Sequence, residues 1–251
     1  MTMRSRGSRW RAATVVAASV LALGAACTTS TPPPTATTSA GSAQTSATTA
    51  ATTAPAPSAA DILDRAKANA IKATSAAFTG RVQQDGAEML VDFKGTSNGS
   101  TSDLTMTTVD KGRVRVLSVD GAVYLQADEK FWTAQGVPTA FPADRFVKVP
   151  AVAAQFSEEF GLNALIDEAL AAVTASQLSD TVGSEMVGGT DTWVITDSAG
   201  PGEGALYVSK SDYQVVRFTG SSKSPAQLDF SQWNADLGIV APPKDQVVSL
   251  S

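Results

Sequence analysis

The stretch "GRVRVLSVDGAVYLQA", residues 112–127, decides which fold class the sequence predicts. Alternate positions are apolar in both halves of the stretch, and the dipeptide Asp120–Gly121 separates the halves. A period of two residues places successive side chains on opposite faces of a strand, and Asp-Gly is a strong hairpin signal. The stretch therefore predicts two antiparallel strands with one apolar face, formed by Val114, Val116, Val123 and Leu125.

The same alternation continues on both sides of this hairpin. It occurs upstream in "AEMLVDFKG" (87–95) and "SDLTMTTV" (102–109), with turn signals at 97–100 and 110–112. Downstream it returns in "TVGSEMV", "DTWVITD", "GALYVSK", "YQVVRFTG" and "PAQLDFSQW", between residues 181 and 233. We expect about nine to eleven strands in a single antiparallel sheet, and a sheet of this size must curl.

Two segments carry helical rather than strand periodicity. In "SAADILDRAKANAIKATSAAF" (58–78), Ser58 and Asp61 form a candidate capping box, and apolar residues follow at helical spacing as far as Ala73. In "FSEEFGLNALIDEALAAVTASQ" (156–177), the spacing i, i+3, i+4, i+7, i+8 starts at Leu162. The fold class is therefore α+β, with two helices covering the apolar face of the curved sheet.

The N-terminal residues predict export and lipid anchoring. Four arginines precede an apolar run at 12–26 that is too short to span a membrane as a helix and ends in small residues, as a secretory signal does. The run ends in Leu23-Gly24-Ala25-Ala26-Cys27, which resembles the bacterial lipoprotein box with its leucine one place early. We predict a signal peptide at 1–26 and lipidation of Cys27; the alternative is an ordinary signal peptide and a free thiol.

A tether follows Cys27. Residues 28–58 contain only Thr, Ser, Pro, Ala, Gly and Gln, a composition that cannot bury enough surface to fold. A flexible chain of this length has a reach of about 30 Å. We expect a lipidated, disordered tether at 27–58 and a folded domain at 59–251.

Composition excludes several kinds of function. The chain has no histidine and one cysteine, which excludes Ser-His-Asp and Cys-His catalysis, imidazole zinc sites and an internal disulfide. Removing residues 1–26 leaves 15 basic and 24 acidic residues, a net charge of −9, which disfavours nucleic acid as a partner. The sequence predicts no catalytic residue, no metal site and no cofactor.

Four motifs in the folded part resemble the LppX, LprA, LprF and LprG lipoproteins of mycobacteria. They are "VDGAVYLQADEKFW" (119–132), "VGGTDTWVIT" (187–196), "ALYVSKSDYQVVRFTG" (205–220) and "LDFSQWNADLGIVAPP" (228–243), and the order of helices and strands agrees over roughly residues 60–245. The resemblance implies a half-barrel similar to the LolA carrier fold, with helices on the concave face. It also implies a hydrophobic cavity that takes up acylated envelope lipids.

Candidate cavity residues come from the apolar sides of the strands and of the central helix. Each is equally suited to simple core packing; Met89 and Met106 are the most suggestive, since methionine adapts to varied apolar shapes. The candidates are Met89, Val91, Phe93, Leu104, Met106, Val114, Val116, Val123, Leu125, Leu162, Leu165, Ile166 and Leu170.

Other motifs favour structural roles. "GTSNG" (95–99) matches the serine-hydrolase pattern G-x-S-x-G, but its place between two strands predicts a turn. The acidic pairs 128–129 and 158–159 are predicted to be solvated charge, and Trp132, Trp193 and Trp233 to be sheet or core anchors. "FVKVPAVAAQF" (146–156) is predicted to be a buried connection, with a cavity lid or a docking loop as alternatives.

Two functions remain open from the sequence. The first is a non-catalytic lipoprotein on the outer face of the plasma membrane that binds acylated lipids of glycolipid, phospholipid or triacylglycerol type, with membrane lipids and a transporter as its partners. The second is an envelope adaptor or sensor with a filled core, which would dock a membrane protein. The size of the internal cavity distinguishes them.

Overall fold

One sheet of twelve strands organises the described residues in the computed structural model of the chain. The structure describes residues 56–84, 86–136, 142, 145–149, 161–164, 166 and 173–249. In chain order the strands are β1 Ser75–Gln84, β2 Ala87–Thr96, β3 Ser102–Thr108, β4 Gly112–Val119, β5 Ala122–Ala127, β6 Phe146–Val149, β7 Gly183–Val187, β8 Thr190–Thr196, β9 Ala205–Ser209, β10 Val215–Thr219, β11 Ala226–Ser231 and β12 Val247–Ser249.

The sheet is a series of hairpins joined by one long-range pair. Its order is β12-β6-β5-β4-β3-β2-β1-β11-β10-β9-β8-β7, so β1 lies between its own hairpin partner β2 and the distant strand β11. Neighbouring strands are antiparallel except for β6 and β12, which are parallel. Because β7 and β12 lie at opposite ends of this order, the described sheet does not close into a barrel. The predicted fold class is confirmed, with twelve strands where about nine to eleven were expected.

Helix α1, Ala59–Lys72, covers one face of the sheet, which we call the inner face. The Ser58 hydroxyl accepts a bond from the Asp61 N–H (3.1 Å), the first of the two bonds of the predicted capping box. The Asp61 carboxylate accepts from the same hydroxyl (2.8 Å), whereas a capping box uses the backbone N–H of the cap residue. The helix buries Ile62 and Leu63 fully. The predicted periodicity extended to Ala73, but that residue is an extended C-cap, because the chain turns there to enter β1.

The second predicted helix is described only in part. Residues 162–164 and Ile166 are helical, and Leu162 is fully buried. Leu165, Leu170 and the acidic pair 158–159 lie outside the described residues. Short 3-10 turns occur at Ala175–Gln177, Pro201–Glu203 and Lys244–Gln246.

A short helix, α2 at Glu129–Ala134, was not predicted. Asp128 starts it: its carboxylate accepts bonds from the Phe131 N–H and the Arg113 N–H, each 2.8 Å long. The prediction that Asp128 is solvated charge is therefore wrong, because this carboxylate caps the helix and fixes it to β4. Glu129 is exposed, as predicted.

The segment beginning at Phe146 also differs from its prediction. Instead of a connection or a lid, its first four residues form β6, which pairs with β5 and β12. Phe146 and Val147 are both buried, on opposite faces, so the strand lacks the apolar-polar alternation that identifies a half-buried strand. Residues 150–156 lie outside the described part of the chain.

The opposite face of the sheet, the outer face, carries ion pairs. Arg115 donates two bonds to the Asp103 carboxylate, of 2.8 and 2.7 Å. On the neighbouring half of the sheet Arg217 donates one bond, from its Nε, to the Asp229 carboxylate, which also accepts a bond from Gln227. A small apolar cluster also lies on this face, where the C-terminal segment crosses it: Leu117, Val119, Tyr124, Phe146, Ile239 and Val247.

Candidate functional site

Two uninterrupted apolar rows cross the inner face of the sheet. Each follows directly paired residues from strand to strand, so its members are neighbours in space. The first row is Ile195, Leu206, Phe218, Leu228, Gly80, Val91, Met106, Val114 and Ala127. The second row is Phe230, Phe78, Phe93, Leu104, Val116, Leu125, Val147 and Val248.

The first apolar cluster lies beneath α1. Phe78 is its centre on the sheet: its ring stacks on Phe93 (centroids 4.9 Å apart) and is tilted against Phe230 (5.3 Å). Leu162 and Ile166 of the central helix belong to this cluster and bring a second helical segment over the same strands. Aromatic pairs of this kind add stability beyond the area that they bury.

The second apolar cluster lies beneath α2, on β4 and β5. It is formed by Val114, Val116, Val123, Ala127 and Trp132. The helix lies close to β4 at Gly112, since a Cβ added there would be 2.2 Å from the Asp128 carboxylate. Gly112 also has a φ of +77°, a backbone conformation that favours glycine. Only glycine fits this position.

Met106 connects the two clusters. Its side chain packs against both, and it is half-buried rather than buried. Other inner-face side chains are also only half-buried, although helices lie over the sheet: Val91, Leu125, Phe218, Leu228 and Phe230. The inner face thus offers apolar surface beyond what packing within the described residues removes from water.

The structure brings most of the candidate cavity residues together on the inner face. Phe93, Leu104, Leu162 and Ile166 are buried in the first cluster, and Val91 packs against it. The second cluster contains Val114, Val116 and Val123, with Leu125 packed against it. Met89 is half-buried and faces Val82 and Thr108 at the margin of the sheet. Leu165 and Leu170 lie outside the described residues. Whether these residues line a ligand cavity stays a prediction.

The sequence-based candidates omit the other half of the same surface. Leu206, Phe218, Leu228 and Phe230 continue the two rows across β9, β10 and β11. Their signal was present, since both "YQVVRFTG" and "PAQLDFSQW" alternate in the strand pattern. What was missing is the pairing of β11 with β1, which joins β9, β10 and β11 to the other half of the sheet.

Two cavities lie side by side where the C-terminal end of α1 meets β10. The first, which we call the groove, has a volume of about 270 Å³ and is lined by Asn69, Ala70, Lys72, Asp212, Gln214, Val215, Trp233 and Asn234. The second, which we call the apolar pocket, has a volume of only about 10 Å³ and is lined by Ala70, Ile166, Leu206, Val215, Phe218, Phe230 and Trp233. The apolar pocket has room for no more than about one water molecule.

The remaining motifs have structural roles. "GTSNG" ends β2 and forms the turn to β3, as predicted, and Asn98 accepts a bond from the Ser100 N–H there (3.1 Å). Trp132 and Trp193 pack in or against the apolar clusters, and Trp233 does so after β11, which confirms them as anchors. Lys210 lies over the Trp193 ring at 4.7 Å.

Searches for two further kinds of site find nothing within the described ranges. Those residues hold no group of three or more carboxylates or cysteines placed to bind a metal ion. The helices among them include none long and apolar enough to cross a bilayer.

Comparison with known proteins gives similarities of structure alone. No protein-family model matches the chain, and no curated protein matches it. The chain is similar to LprF from Mycobacterium bovis, with 15% identity, a TM-score of 0.47, and coverage of 72% of this chain and 95% of that chain. For the lipoprotein LppX of Mycobacterium tuberculosis the values are 15%, 0.45, 72% and 100%. For an uncharacterized conserved protein of Thermus thermophilus they are 18%, 0.35, 76% and 99%. LprF and LppX are two of the four lipoproteins named by the sequence resemblance.

Proposed function

We propose that this chain is a non-catalytic cell-envelope lipoprotein that binds acylated lipid between the inner face of its sheet and the helices over that face. The lipid is a diacyl or triacyl molecule of glycolipid, phospholipid or triacylglycerol type. The protein shields its acyl chains from water and delivers them to another membrane component, such as a transporter.

The two apolar rows carry this proposal. They cross eight or more strands without a polar interruption, and several of their side chains remain half-buried under the helices. A sheet that needed only a core would bury these side chains or end the rows earlier. An apolar surface of this extent suits a long acyl chain, because each Å² removed from water contributes about 25 cal/mol.

The chemistry required is binding without reaction. An acyl chain has no group to polarise, so the surface that holds it needs shape and dryness rather than acids, bases or metal ions. Met106, between the two clusters, suits such a surface because its unbranched side chain adapts to different chain positions.

The N-terminal segment supports a location where such lipids occur. The signal peptide at 1–26 directs the chain across the plasma membrane, and acylation of Cys27 anchors it to the outer face. The tether at 28–58 then holds the folded domain on the order of 30 Å from the anchor, within reach of the outer leaflet.

Lipid binding is tested on protein purified without detergent and carrying Cys27→Ala, so that no covalent acyl chain is present. We expect organic extraction followed by mass spectrometry to release acylated lipid, and the emptied protein to take up lipid from vesicles. Repeated extraction of nothing, together with no uptake, would contradict the proposed function.

Two neighbouring residues of β3 provide a matched pair. Met106 points to the inner face and Thr107 to the outer face, and both are half-buried. Met106→Glu places a carboxylate on the lipid-binding surface, so we expect at least about a tenfold loss of uptake, since a buried unpaired charge is costly. Thr107→Glu adds the same charge opposite Arg113 and should leave uptake unchanged. Equal loss in both variants would indicate general destabilisation instead of a binding face.

The anchor has a separate test. Cells labelled with a palmitate analogue should incorporate the label into the wild-type chain and not into Cys27→Ala. Equal labelling of the two chains would show that Cys27 is not the acylation site, whatever the outcome of the lipid extraction.

One observation favours a second candidate function. The apolar pocket holds only about 10 Å³ in the described structure. A core that stays closed in solution would make the protein an envelope adaptor or sensor that docks a membrane protein through its surface. The uptake experiment separates the two functions, because an adaptor with a filled core takes up no lipid.

A further inference from the structure

The groove and the apolar pocket share one wall. Ala70 of α1, Val215 of β10 and Trp233 line both of them. On the groove side the other lining residues are polar or charged, and on the pocket side all of them are apolar. The side chains of Ala70, Val215 and Trp233 therefore separate the groove from the first apolar cluster.

Trp233 is the large member of this wall. Its indole N–H donates to the Val215 carbonyl (2.9 Å), and its ring stacks on Phe230 with centroids 5.8 Å apart and planes 15° from parallel. Phe230 in turn lies against Phe78, at the centre of the first cluster. Within the described residues, the indole thus stands between the groove and the inner face, held by its hydrogen bond to Val215 and its stack on Phe230.

The backbone that carries Trp233 is held firmly. Gln232 and Asn234, on either side, have φ values of 53° and 58°, in the left-handed region that such residues adopt uncommonly. The Asn234 N–H donates to the Ser75 carbonyl, and the Asn234 side-chain oxygen accepts from the Thr74 N–H, each at 2.9 Å. With the main chain fixed, rotation of the side chain is the motion that opens this wall.

We propose that the groove is the entrance to the lipid-binding space and that Trp233 is its gate. This inference rests on the proposed function and adds the route to it. Rotation of the indole joins the groove to the apolar pocket, and an acyl chain then passes between Ala70 and Val215 onto Phe218 and Phe230.

The polar lining of the groove suits the head of the same molecule. Asn69, Gln214 and Asn234 offer amide donors and acceptors, while Lys72 and Asp212 contribute opposite charges. The volume of 270 Å³ is that of about nine water molecules, which fits a compact polar headgroup and not a whole lipid. The head would remain in the groove while the chains lie on the inner face.

Fluorescence quenching locates the entrance. The probe is a vesicle of phosphatidylcholine with brominated acyl chains, which quench a tryptophan on contact. In protein with Cys27→Ala and with Trp10, Trp132 and Trp193 each changed to Phe, Trp233 is the one remaining tryptophan, and we expect uptake to quench it. A matched variant keeps Trp193 and changes Trp10, Trp132 and Trp233 to Phe. Quenching of Trp193 in the matched variant, with none of Trp233 in the first variant, would overturn the entrance.

The rate of uptake tests the gate. Trp233→Phe keeps an aromatic ring and removes the hydrogen bond to Val215, so uptake should become about fivefold faster. Val215→Trp fills the shared wall and should slow uptake by a similar factor. Trp193→Phe, in β8 and outside both cavities, is the control and should leave the rate unchanged.

The possible failures are distinguishable. Uptake by the wild type with unchanged rates in Trp233→Phe and Val215→Trp would overturn the gate and leave the proposed function standing. A wild-type protein that takes up no lipid would contradict the proposed function and remove the entrance with it. Circular dichroism on each variant verifies that the sheet is intact.

Discussion

The two faces of this sheet are built from the same strands and are stabilised differently. On β2, Phe93 points inward and is fully buried, while its neighbour Lys94 points outward and is 36% exposed in its side chain. On β4, Val116 points inward, and Arg115 points outward to pair with Asp103. The inner face depends on packing, and the outer face, apart from its small apolar cluster, on ion pairs.

This difference assigns both stability and binding specificity to the inner face. Packing contributes most where a side chain is wholly removed from water and has close neighbours on every side. Exposed ion pairs contribute little, since water and salt screen them. The inner face should therefore determine both whether the protein folds and what it binds, and the outer face should tolerate change.

The largest expected effect is at Phe93. Phe93→Ala leaves a cavity beneath α1 and removes the stack with Phe78, so the free energy of unfolding should fall by about 3–5 kcal/mol. Lys94→Ala, the next residue on the outer face, should change it by less than about 0.5 kcal/mol. Chemical denaturation of both variants measures the difference, and similar losses would break the comparison between the faces.

Gly80 should have the next largest effect. A Cβ at this position would lie 1.9 Å from the Gln227 carbonyl, so Gly80→Ala forces β1 and β11 apart. We expect a loss of about 1–3 kcal/mol, which is typical of overpacking. Thr79→Ala, which points to the outer face of the same strand, is the control. A thermal unfolding midpoint that is equal for both variants would show that the β1–β11 pair adapts without cost.

A smaller effect is expected at Arg115, where the outer face is partly buried. Asp103 is only 8% exposed and accepts both bonds from Arg115. The hydrogen bond to Asp103 raises the pKa of the Arg115 guanidinium. Arg115→Met should cost about 1–2 kcal/mol, because it leaves a buried carboxylate without its main partner. The exposed Arg113, changed to Met, should cost less than about 0.5 kcal/mol.

The smallest effect concerns Asp229 and pH. Burial raises the pKa of Asp229, but hydrogen bonds from Arg217 and Gln227 outweigh burial and bring the pKa below its ordinary value of 3.8. Its stabilising contribution is therefore complete above about pH 4 and is lost as the pH falls through the lowered pKa. Because the Asp229 side chain is 38% exposed, the change should stay below about 0.5 kcal/mol.

Denaturation curves between pH 2 and 6 measure this contribution. Arg217→Met removes the guanidinium, and its curve should show less loss of stability over the acid range than that of the wild type. Parallel curves would mean that the Arg217–Asp229 pair contributes nothing measurable to the fold.

The hairpins were predictable from sequence because their signals are local. Alternation along β4 and β5 and the turn at Asp120–Gly121 indicate both strands and their pairing, and the alternation of β2 and β3 does the same. The cap of α1 at Ser58 was equally visible. These locally predicted elements form half of the inner face, so that half could be predicted from the sequence.

Three strands and one helix were not predicted, and none of them has a complete local signal. β1 has small or polar residues at every position except Phe78 and Val82, with Gly80 between those two. β6 is buried on both faces, so it lacks alternation, and β12 is three residues long and pairs with a strand a hundred positions away. α2 is six residues long, shorter than two helical turns. The groove required the juxtaposition of Asn69, Asp212 and Trp233, which only the tertiary fold provides.

The order of the strands also has a consequence for when the protein acquires its shape. β1 stands in the middle of the sheet, yet one of its two neighbours, β11, is contributed by residues some 150 positions later. Two strands so far apart in sequence pair slowly, because closing the intervening loop costs conformational entropy before the pair can form. In a chain that crosses a membrane with its N-terminus first, β1 would therefore lack its partner β11 until residues 226–231 had emerged. If the chain is exported as proposed, this late completion would keep the polypeptide extended during transit and postpone the assembly of its apolar surface to the far side of the membrane.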